Sequence, residues 1–336
     1  MNSLNSTQPA LLPRQGEWVF EKLRPIMDAC GTALAPRDFH WAVNLSFHSA
    51  EAEHYEREHS AMIGALPEKW ERLLAPLQTS HAGSIRWLDV GCGPGVMGRV
   101  VTEILAGKIG CATFLDPNAE MLRLCEAKAK LWPFPSRFIQ GIISDLGPGE
   151  EFDLITCNSV LHHVVELEGF CRVAEALLAA RGHFAHCYDP RREALEDRVL
   201  YRRRRVARFA HSWRDVRHRM GEMYRQAAHS PSPSSLIEAE TNRQLLASGA
   251  IRIALDIREI WAVTDFHVHD QPGNFGKGIS ESELRSYLAP LRRQEYFSYS
   301  FFDLGNAIPP FRQIEQFLFK RRDPHGLLFG ASWAKP

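Results

Sequence analysis

Residues 87–98 have the sequence WLDVGCGPGVMG, and the interpretation of the whole chain begins with this segment. The apolar run Ile85–Val90 predicts a buried strand, and a cluster of glycines follows it. Glycine allows a positive φ and lets a ligand lie against bare backbone. A helix is predicted directly afterwards, over Val96–Gly107, and its N-terminus offers unpaired N–H groups. The segment therefore predicts a strand, turn and helix with a ligand at the turn.

Strands and helices alternate after this turn, which is typical of a parallel sheet covered by helices on both faces. We predict helices over Asn118–Leu131 and Glu166–Ala180. The other predicted strands are Cys111–Asp116, Arg137–Ile143, Phe152–Cys157 and Gly182–Tyr188, with Glu295–Phe302 and Leu327–Trp333 as a final antiparallel pair. The predicted fold class is α/β: a doubly wound, mostly parallel, Rossmann-like sheet of seven strands.

Four regions are expected along the chain. Residues 1–83 form a helical N-terminal cap, with helices over Gly16–Cys30 and Glu51–Ala65 and a third over Leu66–Leu77 that is interrupted near Pro67. Residues 84–189 form the α/β core, and residues 190–278 are a helical insertion, or lid, after strand five. Residues 279–336 complete the core sheet.

Composition excludes several classes of protein. The 40 basic and 40 acidic side chains balance, so bulk attraction to a polyanion is excluded. No apolar run reaches about 18 residues, so we expect no membrane partner. The seven cysteines are scattered and contain no Cys-x-x-Cys, which argues against a disulfide framework and a thiolate zinc site. With no signal-peptide pattern in Met1–Pro13, the expected location is the cytoplasm.

Three aspartates near the turn indicate which ligand it binds. Asp89 lies two residues before Gly91, where it can accept a hydrogen bond from a ligand ammonium. Asp116 ends the second strand, where a carboxylate suits a ribose diol, and Asp145 follows the third strand, where it can accept from an adenine amino group. A ligand with an amine, a ribose and an adenine but no phosphate is S-adenosylmethionine (SAM). The spacing Gly93-x-Gly95-x-x-Gly98 also fits a dinucleotide site, so NAD remains an alternative.

The segment Ser84–Asp189 resembles the class I SAM-dependent methyltransferases, especially the small-molecule group. The resemblance rests on Leu88–Gly95, Phe114–Leu122, Ser144–Leu146, Phe152–Ile155 and Val160–Val164. It implies that Gly91, Gly93 and Gly95 line the methionine moiety. It also implies that Asp116 holds the ribose and Asp145 the adenine, with Pro117 and Asn158 in the same site. In related enzymes a tyrosine before the glycine strand closes over the SAM carboxylate, and Tyr55 is the candidate here.

The predicted catalytic residues are His163, as the base, and His162. Methyl transfer is an in-line displacement, and a base assists when the acceptor is a hydroxyl or an ammonium. Both histidines follow strand four, at the edge where open α/β sheets bind ligands. An imidazole titrates near working pH, which suits a base. The alternative for either histidine is to pack against, or cap, the next helix.

The acceptor site is less defined by the sequence. Its candidate residues are Phe47, Tyr188, Asp189, Arg202, His267 and His269. Arg202 begins a run of four arginines, which suits an anionic acceptor, an RNA backbone or a solvated helix face with ion pairs. His267 and His269 alternate along the segment Asp265–Asp270, where two imidazoles and a carboxylate would suit a transition metal. We expect no metal, because the spacing is common and the segment is loop-like.

The predicted function is a SAM-dependent methyltransferase that acts on a small molecule, in specialised metabolism. O-methylation is favoured, and N- or C-methylation are alternatives. An RNA methyltransferase, a NAD-dependent oxidoreductase and a catalytically idle SAM-binding protein are the competing interpretations. Nucleic acid is not expected as a partner, because the chain has zero net charge and no RNA-binding module. The oligomeric state is not predicted.

Overall fold

A computed structural model describes residues 22–80, 83–147, 149–222, 233–265, 278–302 and 309–336. Its centre is a seven-stranded sheet with the strand order β3-β2-β1-β4-β5-β7-β6. The strands are β1 (Ile85–Val90), β2 (Ile109–Asp116), β3 (Ser136–Gln140), β4 (Phe152–Asn158), β5 (Leu178–Pro190), β6 (Arg292–Tyr299) and β7 (Leu328–Ala334). The first five strands are parallel, and β7 runs antiparallel between β5 and β6. The predicted fold class is confirmed.

The helices follow in chain order. They are α1 (Arg24–Cys30), α2 (Pro36–Glu51), α3 (Tyr55–Glu58), α4 (Ser60–Gly64), α5 (Leu66–Ser80), α6 (Val96–Ile104), α7 (Ala119–Ala129), α8 (Leu167–Leu177), α9 (Arg198–Glu222), α10 (Pro233–Ala247), α11 (Ile257–Thr264), α12 (Glu281–Tyr287) and α13 (Pro309–Lys320). Within these parts of the chain, no helix is both long and apolar enough to cross a membrane.

Alternating side chains of β1 build two cores, one on each face of the sheet. Trp87 lies in the core that α5, α6 and α13 cover. Leu88 lies in the opposite core, which α8 and α12 cover. Because successive strand residues point to opposite faces, one strand supplies both cores. Burial on both faces explains why β4 is buried at six of its seven residues.

The N-terminal helices and the insertion share a third core. Phe39 and Val43 of α2 pack with Leu245 of α10 and with Ile260 and Val263 of α11. Asn118, directly after β2, donates hydrogen bonds to the Leu45 carbonyl and to Ser49 Oγ, each at 2.9 Å. These contacts dock α2, together with the insertion, at the carboxyl edge of the sheet. The four regions proposed from the sequence therefore make extensive contacts with one another.

Several predicted boundaries were wrong. The helix expected over Glu51–Ala65 is divided into a 3-10 turn (Ala52–His54), α3 and α4, whereas α5 runs through Pro67 without a break. Proline is tolerated in the first turn of a helix because its missing N–H has no partner there. The strand expected to reach Ile143 ends at Gln140 and is followed by a 3-10 turn. Strand β5 begins at Leu178, inside the helix expected over Glu166–Ala180.

Candidate functional site

The glycine turn between β1 and α6 forms an open cradle. Gly91, Gly93 and Gly95 all have positive φ angles, of 63°, 53° and 81°. A Cβ atom on Gly91 would lie 2.6 Å from a methyl carbon of Val160, so only glycine fits there. A Cβ atom on Gly93 would meet no described heavy atom within 4 Å. The backbone at Gly93 therefore faces free space, as a ligand-binding turn requires.

Both carboxylate oxygens of Asp116 accept hydrogen bonds from backbone amides, and one of these amides belongs to the glycine turn. Its Oδ2 accepts a hydrogen bond from the Gly93 amide and its Oδ1 accepts one from the Asn118 amide, each at 2.8 Å. Burial raises the pKa of Asp116, and these two amides oppose the effect. Each carboxylate oxygen keeps a further lone pair for a ligand hydroxyl. Pro117, the next residue, is partly buried beside it.

Asp89 lies beneath the turn and is 1% exposed. Its Oδ1 accepts a hydrogen bond from Thr156 at 2.7 Å, and Thr156 in turn accepts one from the Trp87 indole at 2.8 Å. Its Oδ2 has no hydrogen-bond partner among the described side chains and backbone. Burial raises the pKa of Asp89 to about 7, and the negative charge of Asp116 adds to this effect. A buried carboxylate oxygen without a partner suits a cationic ligand group.

Two further predicted cofactor residues, Asp145 and Asn158, hydrogen-bond to other parts of the protein. Asp145 is exposed, and its Oδ2 accepts a hydrogen bond from the Ile142 amide at 2.8 Å. Asn158, at the end of β4, accepts a hydrogen bond from the Trp70 indole at 3.1 Å. These contacts hold the turns that follow β3 and β4.

His162 and His163 form a 3-10 turn with Leu161 after β4, and their rings lie 4.2 Å apart. The Nδ1 atom of His162 contacts Asp189 Oδ1 at 3.0 Å. The Nδ1 atom of His163 lies 3.0 Å from the Thr264 carbonyl oxygen. A carbonyl oxygen only accepts hydrogen bonds, so Nδ1 of His163 carries the proton and Nε2 keeps a lone pair. Burial, followed by the neighbouring His162 and His48, holds the pKa of His163 well below its usual value.

A second histidine group, which the sequence analysis missed, lies beside His163. It consists of His48 and Glu51 on α2 and of His59, directly after α3. The His48 ring lies 5.2 Å from the His163 ring, edge to face. Glu51 contacts Nδ1 of His48 at 3.3 Å and Nε2 of His59 at 2.8 Å. Burial alone would raise the pKa of Glu51, but the bonds from the two histidines hold it at about 2. Burial alone would lower the pKa of His48, yet the contact with Glu51 raises it.

Tyr55 and Phe47 lie close to this group. The Tyr55 ring packs against His59 at 4.4 Å between ring centroids. Burial raises the pKa of Tyr55, and the charges of Glu51 and Asp116 add to this effect. Phe47 is buried in the core that α2 shares with the insertion, and its ring lies 5.2 Å from His48. Phe47 therefore supports His48 from the core side.

Asp189 was expected to line the acceptor site, but its side chain is enclosed. It is 0% exposed, and it contacts the Nδ1 atoms of His162 and His186 at 3.0 and 2.7 Å. Burial alone would raise its pKa, but these two imidazoles lower it. A carboxylate enclosed in this way orients His162, because both of its oxygens are already bound.

The remaining acceptor candidates are spread over the molecule. Tyr188 has a left-handed backbone (φ 69°), and its amide donates to the Tyr299 hydroxyl at 2.7 Å. Arg202 is exposed on α9, and its neighbour Arg203 forms two hydrogen bonds with Asp323, at 2.8 and 2.9 Å. His267 and His269 lie outside the described residues.

One side-chain group has the composition of a metal site. His162, His163 and Asp265 each bring a candidate atom within 4.8 Å of the other two. Asp265 Oδ1 approaches His163 at 3.4 Å on the Nδ1 side, where the Thr264 carbonyl already accepts the proton. An ion shared by Asp265 and His163 on this side would displace that hydrogen bond. We therefore continue to expect no metal.

Comparison with known proteins finds similarity in the central part of the chain. Residues 88–184 match the family model described as a methyltransferase domain. The ubiquinone biosynthesis O-methyltransferase of Methylobacterium sp. (strain 4-46) is 31% identical over 110 residues, which are 32% of this chain and 43% of that protein. The protein of the same name from Rhodopseudomonas palustris (strain HaA2) is 28% identical over 114 residues, 34% of this chain and 43% of its own. The chain thus spans less than half of the length of these relatives.

A structural comparison gives a weaker likeness. The N-methyltransferase NodS from Bradyrhizobium japonicum WM9, solved in complex with S-adenosyl-L-homocysteine (SAH), aligns with 84% of this chain and 88% of its own. The TM-score of this match is 0.40 and the sequence identity is 14%. The family match agrees with the strand, glycine turn and helix described above. Residues 88–184 of this chain are therefore similar to a methyltransferase domain.

Proposed function

We propose that this chain transfers the methyl group of SAM to a hydroxyl of a small molecule, and the observation that carries the proposal is the Asp116–Gly93 contact. This contact holds a ribose-binding carboxylate against a turn whose open side faces free space. The unpartnered oxygen of Asp89 lies beneath the same turn and suits the SAM ammonium. The residues present therefore fit SAM, and we place Tyr55, Pro117, Asp145 and Asn158 around it as well.

The acceptor is activated by His163 in this proposal. SAM supplies a methyl group that is already activated as a sulfonium, so the protein has to align the acceptor and remove its proton. The Nε2 lone pair of His163 is the group that takes this proton, because Nδ1 is engaged by the Thr264 carbonyl. Its lowered pKa keeps the imidazole neutral at working pH. His162 lies beside it, oriented by Asp189.

The preference for a small hydroxyl compound rests on the enclosure of the site. The shared core of the N-terminal helices and the insertion docks at the carboxyl edge of the sheet, where an open groove for RNA would lie. Glu51, Asp116 and Asp265 surround His48 and His163, which favours a neutral hydroxyl at this position. An anionic part of the acceptor would have to reach toward Arg202. The O-methyltransferase names of the two relatives support oxygen as the methylated atom.

To test the proposal, purified protein is incubated with SAM and a panel of phenols, aliphatic alcohols and amines. The release of SAH and the mass of the product are then measured. We expect a mass increase of one methylene on a hydroxyl compound. His163→Ala should lower kcat by about 10²- to 10⁴-fold while the Kd of SAM stays unchanged. His325→Asn is the matched control, because Nδ1 of His325 contacts Asp197 at 2.9 Å, away from His163, and this variant should leave kcat unchanged. Full activity of His163→Ala would reject the base assignment.

A further inference from the structure

The end of α11 reaches across the chain to the proposed base. The Thr264 carbonyl lies 3.0 Å from Nδ1 of His163, although the two residues are 101 positions apart. Asp265, the next residue, brings its Oδ1 to 3.4 Å from the same nitrogen. The carboxylate is itself held by the Thr264 hydroxyl at 3.2 Å. Both oxygen atoms therefore approach one nitrogen of His163, and both belong to the insertion.

This arrangement selects one neutral form of the imidazole. Two acceptors at Nδ1 require the proton to reside there, so that Nε2 is left as the basic atom. In the other tautomer, the Nδ1 lone pair would face a carbonyl and a carboxylate and be repelled by both. A base whose tautomer was not fixed would spend part of its time with a proton on the nitrogen that must accept one.

We propose that Thr264 and Asp265 are positioning residues for His163. These two residues of the insertion set the tautomer of the imidazole and stabilise its charged form. This inference rests on the proposed function. In the step, the acceptor O–H bond breaks and its proton goes to Nε2 of His163. The new O–CH₃ bond forms as the S–CH₃ bond breaks and SAH is released. The imidazolium returns the proton to water, because the His163 side chain is 23% exposed.

The surroundings of His163 explain why a carboxylate is needed there. His162 faces it from the turn after β4, and His40 and His48 face it from α2. All three disfavour a positive charge on the ring of His163. His48 itself is held toward its charged form by Glu51. Asp265 is the carboxylate in direct contact with the ring of His163 in the described part of the chain. Burial raises the pKa of Asp265, and the neighbouring His162 and His48 oppose this effect. In its ionised form, Asp265 stabilises the imidazolium that forms during proton transfer.

The position of Asp265 depends on how firmly α11 is docked. The helix begins with a reciprocal cap, in which Asp256 accepts from the Glu259 amide and Glu259 accepts from the Asp256 amide, each at 2.8 Å. Ile260 and Val263 are fully buried against α2. The cap and the packing of α11 thus hold the Thr264 carbonyl and Asp265 at a fixed position beside His163. It follows that the base is competent only while α11 stays packed on α2.

The test measures both the tautomer of His163 and the kcat of variants. In protein labelled with ¹⁵N-histidine, long-range ¹H–¹⁵N spectra show which ring nitrogen of His163 carries hydrogen, with His163→Gln used for assignment. We expect hydrogen on Nδ1 in the wild type at neutral pH. Asp265→Asn should lower kcat by about 10- to 100-fold at an unchanged Kd of SAM. Because it removes the neighbouring negative charge, it should also move the acid limb of the pH profile to lower pH. Asp265→Glu should restore part of the rate.

The control is Asp197→Asn. Asp197 forms an Asp–His pair of the same kind with His325, at 2.9 Å and away from His163. This variant should leave the His163 spectrum and kcat unchanged. Hydrogen on Nε2 in the wild type would overturn the inference, as would a kcat and an acid limb that Asp265→Asn does not move. Wild-type protein that binds no SAM would instead refute the proposed function, whatever the tautomer of His163.

Discussion

Replacing Asp116 by Asn changes one atom of the proposed ribose contact. The carboxylate has about four lone-pair positions, and the Gly93 and Asn118 amides use two of them. The asparagine amide would keep one oxygen and place an NH₂ group opposite a backbone donor. One charge-assisted hydrogen bond to a ribose hydroxyl is then lost, which is worth about 1.5–3 kcal/mol. The Kd of SAH should therefore rise by about 10- to 150-fold.

Calorimetric titration of SAH into both proteins measures this change. Asp153→Asn is the matched control, because Asp153 is another buried aspartate of the same sheet. It lies at the start of β4, where it accepts hydrogen bonds from Arg86, and so faces away from the ligand edge. Thermal melts would show that both variants are folded. An Asp116→Asn protein that binds SAH within twofold of the wild type would refute the ribose assignment.

Three further predictions concern Asp89, Glu51 and metal content. The pKa of Asp89 is about 7 and its ionised form suits a cation, so the Kd of SAM should fall as pH rises from 6 to 8. Calorimetry of Asp89→Asn should show little of this pH dependence. A Kd of the wild type that does not change with pH would contradict this role of Asp89. Glu51 has its pKa lowered to about 2, so its stabilising effect is complete above about pH 4.5 and is lost as pH falls toward 2. Denaturant melts of Glu51→Gln should therefore show lower stability at pH 7 and a weaker loss in acid, whereas an acid profile equal to that of the wild type would argue against this contact. Elemental analysis should find transition metal well below one ion per chain, and one bound ion that is lost in Asp265→Ala would show that the cluster is a metal site.

The parts of the site that lie on one continuous segment could be predicted from the sequence. Strand β1, the glycine turn and α6 follow one another directly, and Asp116 ends the next strand. Glycine spacing and apolar periodicity are local signals, so this unit needs no knowledge of distant contacts. The alternation of strands and helices likewise predicted the sheet, with β6 and β7 as its antiparallel completion.

Contacts between distant segments could not be predicted in this way. His48 and Glu51 are three residues apart on α2, a spacing that fits one helix face, yet nothing local shows that this face meets His163. Asp265 was noted as a member of a histidine-rich segment, but its pairing with His163 depends on how the insertion packs on α2. Asp189 was expected to face the acceptor because it follows the predicted fifth strand, Gly182–Tyr188. Its side chain turns inward because two imidazoles compensate its buried charge.

Binding of SAM, SAH and NAD to the purified protein decides whether the glycine turn is a SAM site. Isothermal calorimetry with each ligand separately shows whether the turn at Gly91–Gly95 accepts an amine-bearing nucleoside or a pyrophosphate. We expect saturable binding of SAM and SAH and none of NAD, because the carboxylates of Asp89 and Asp116 lie at the turn and would repel a pyrophosphate. Binding of NAD, or the absence of binding by SAM and SAH, would contradict this expectation.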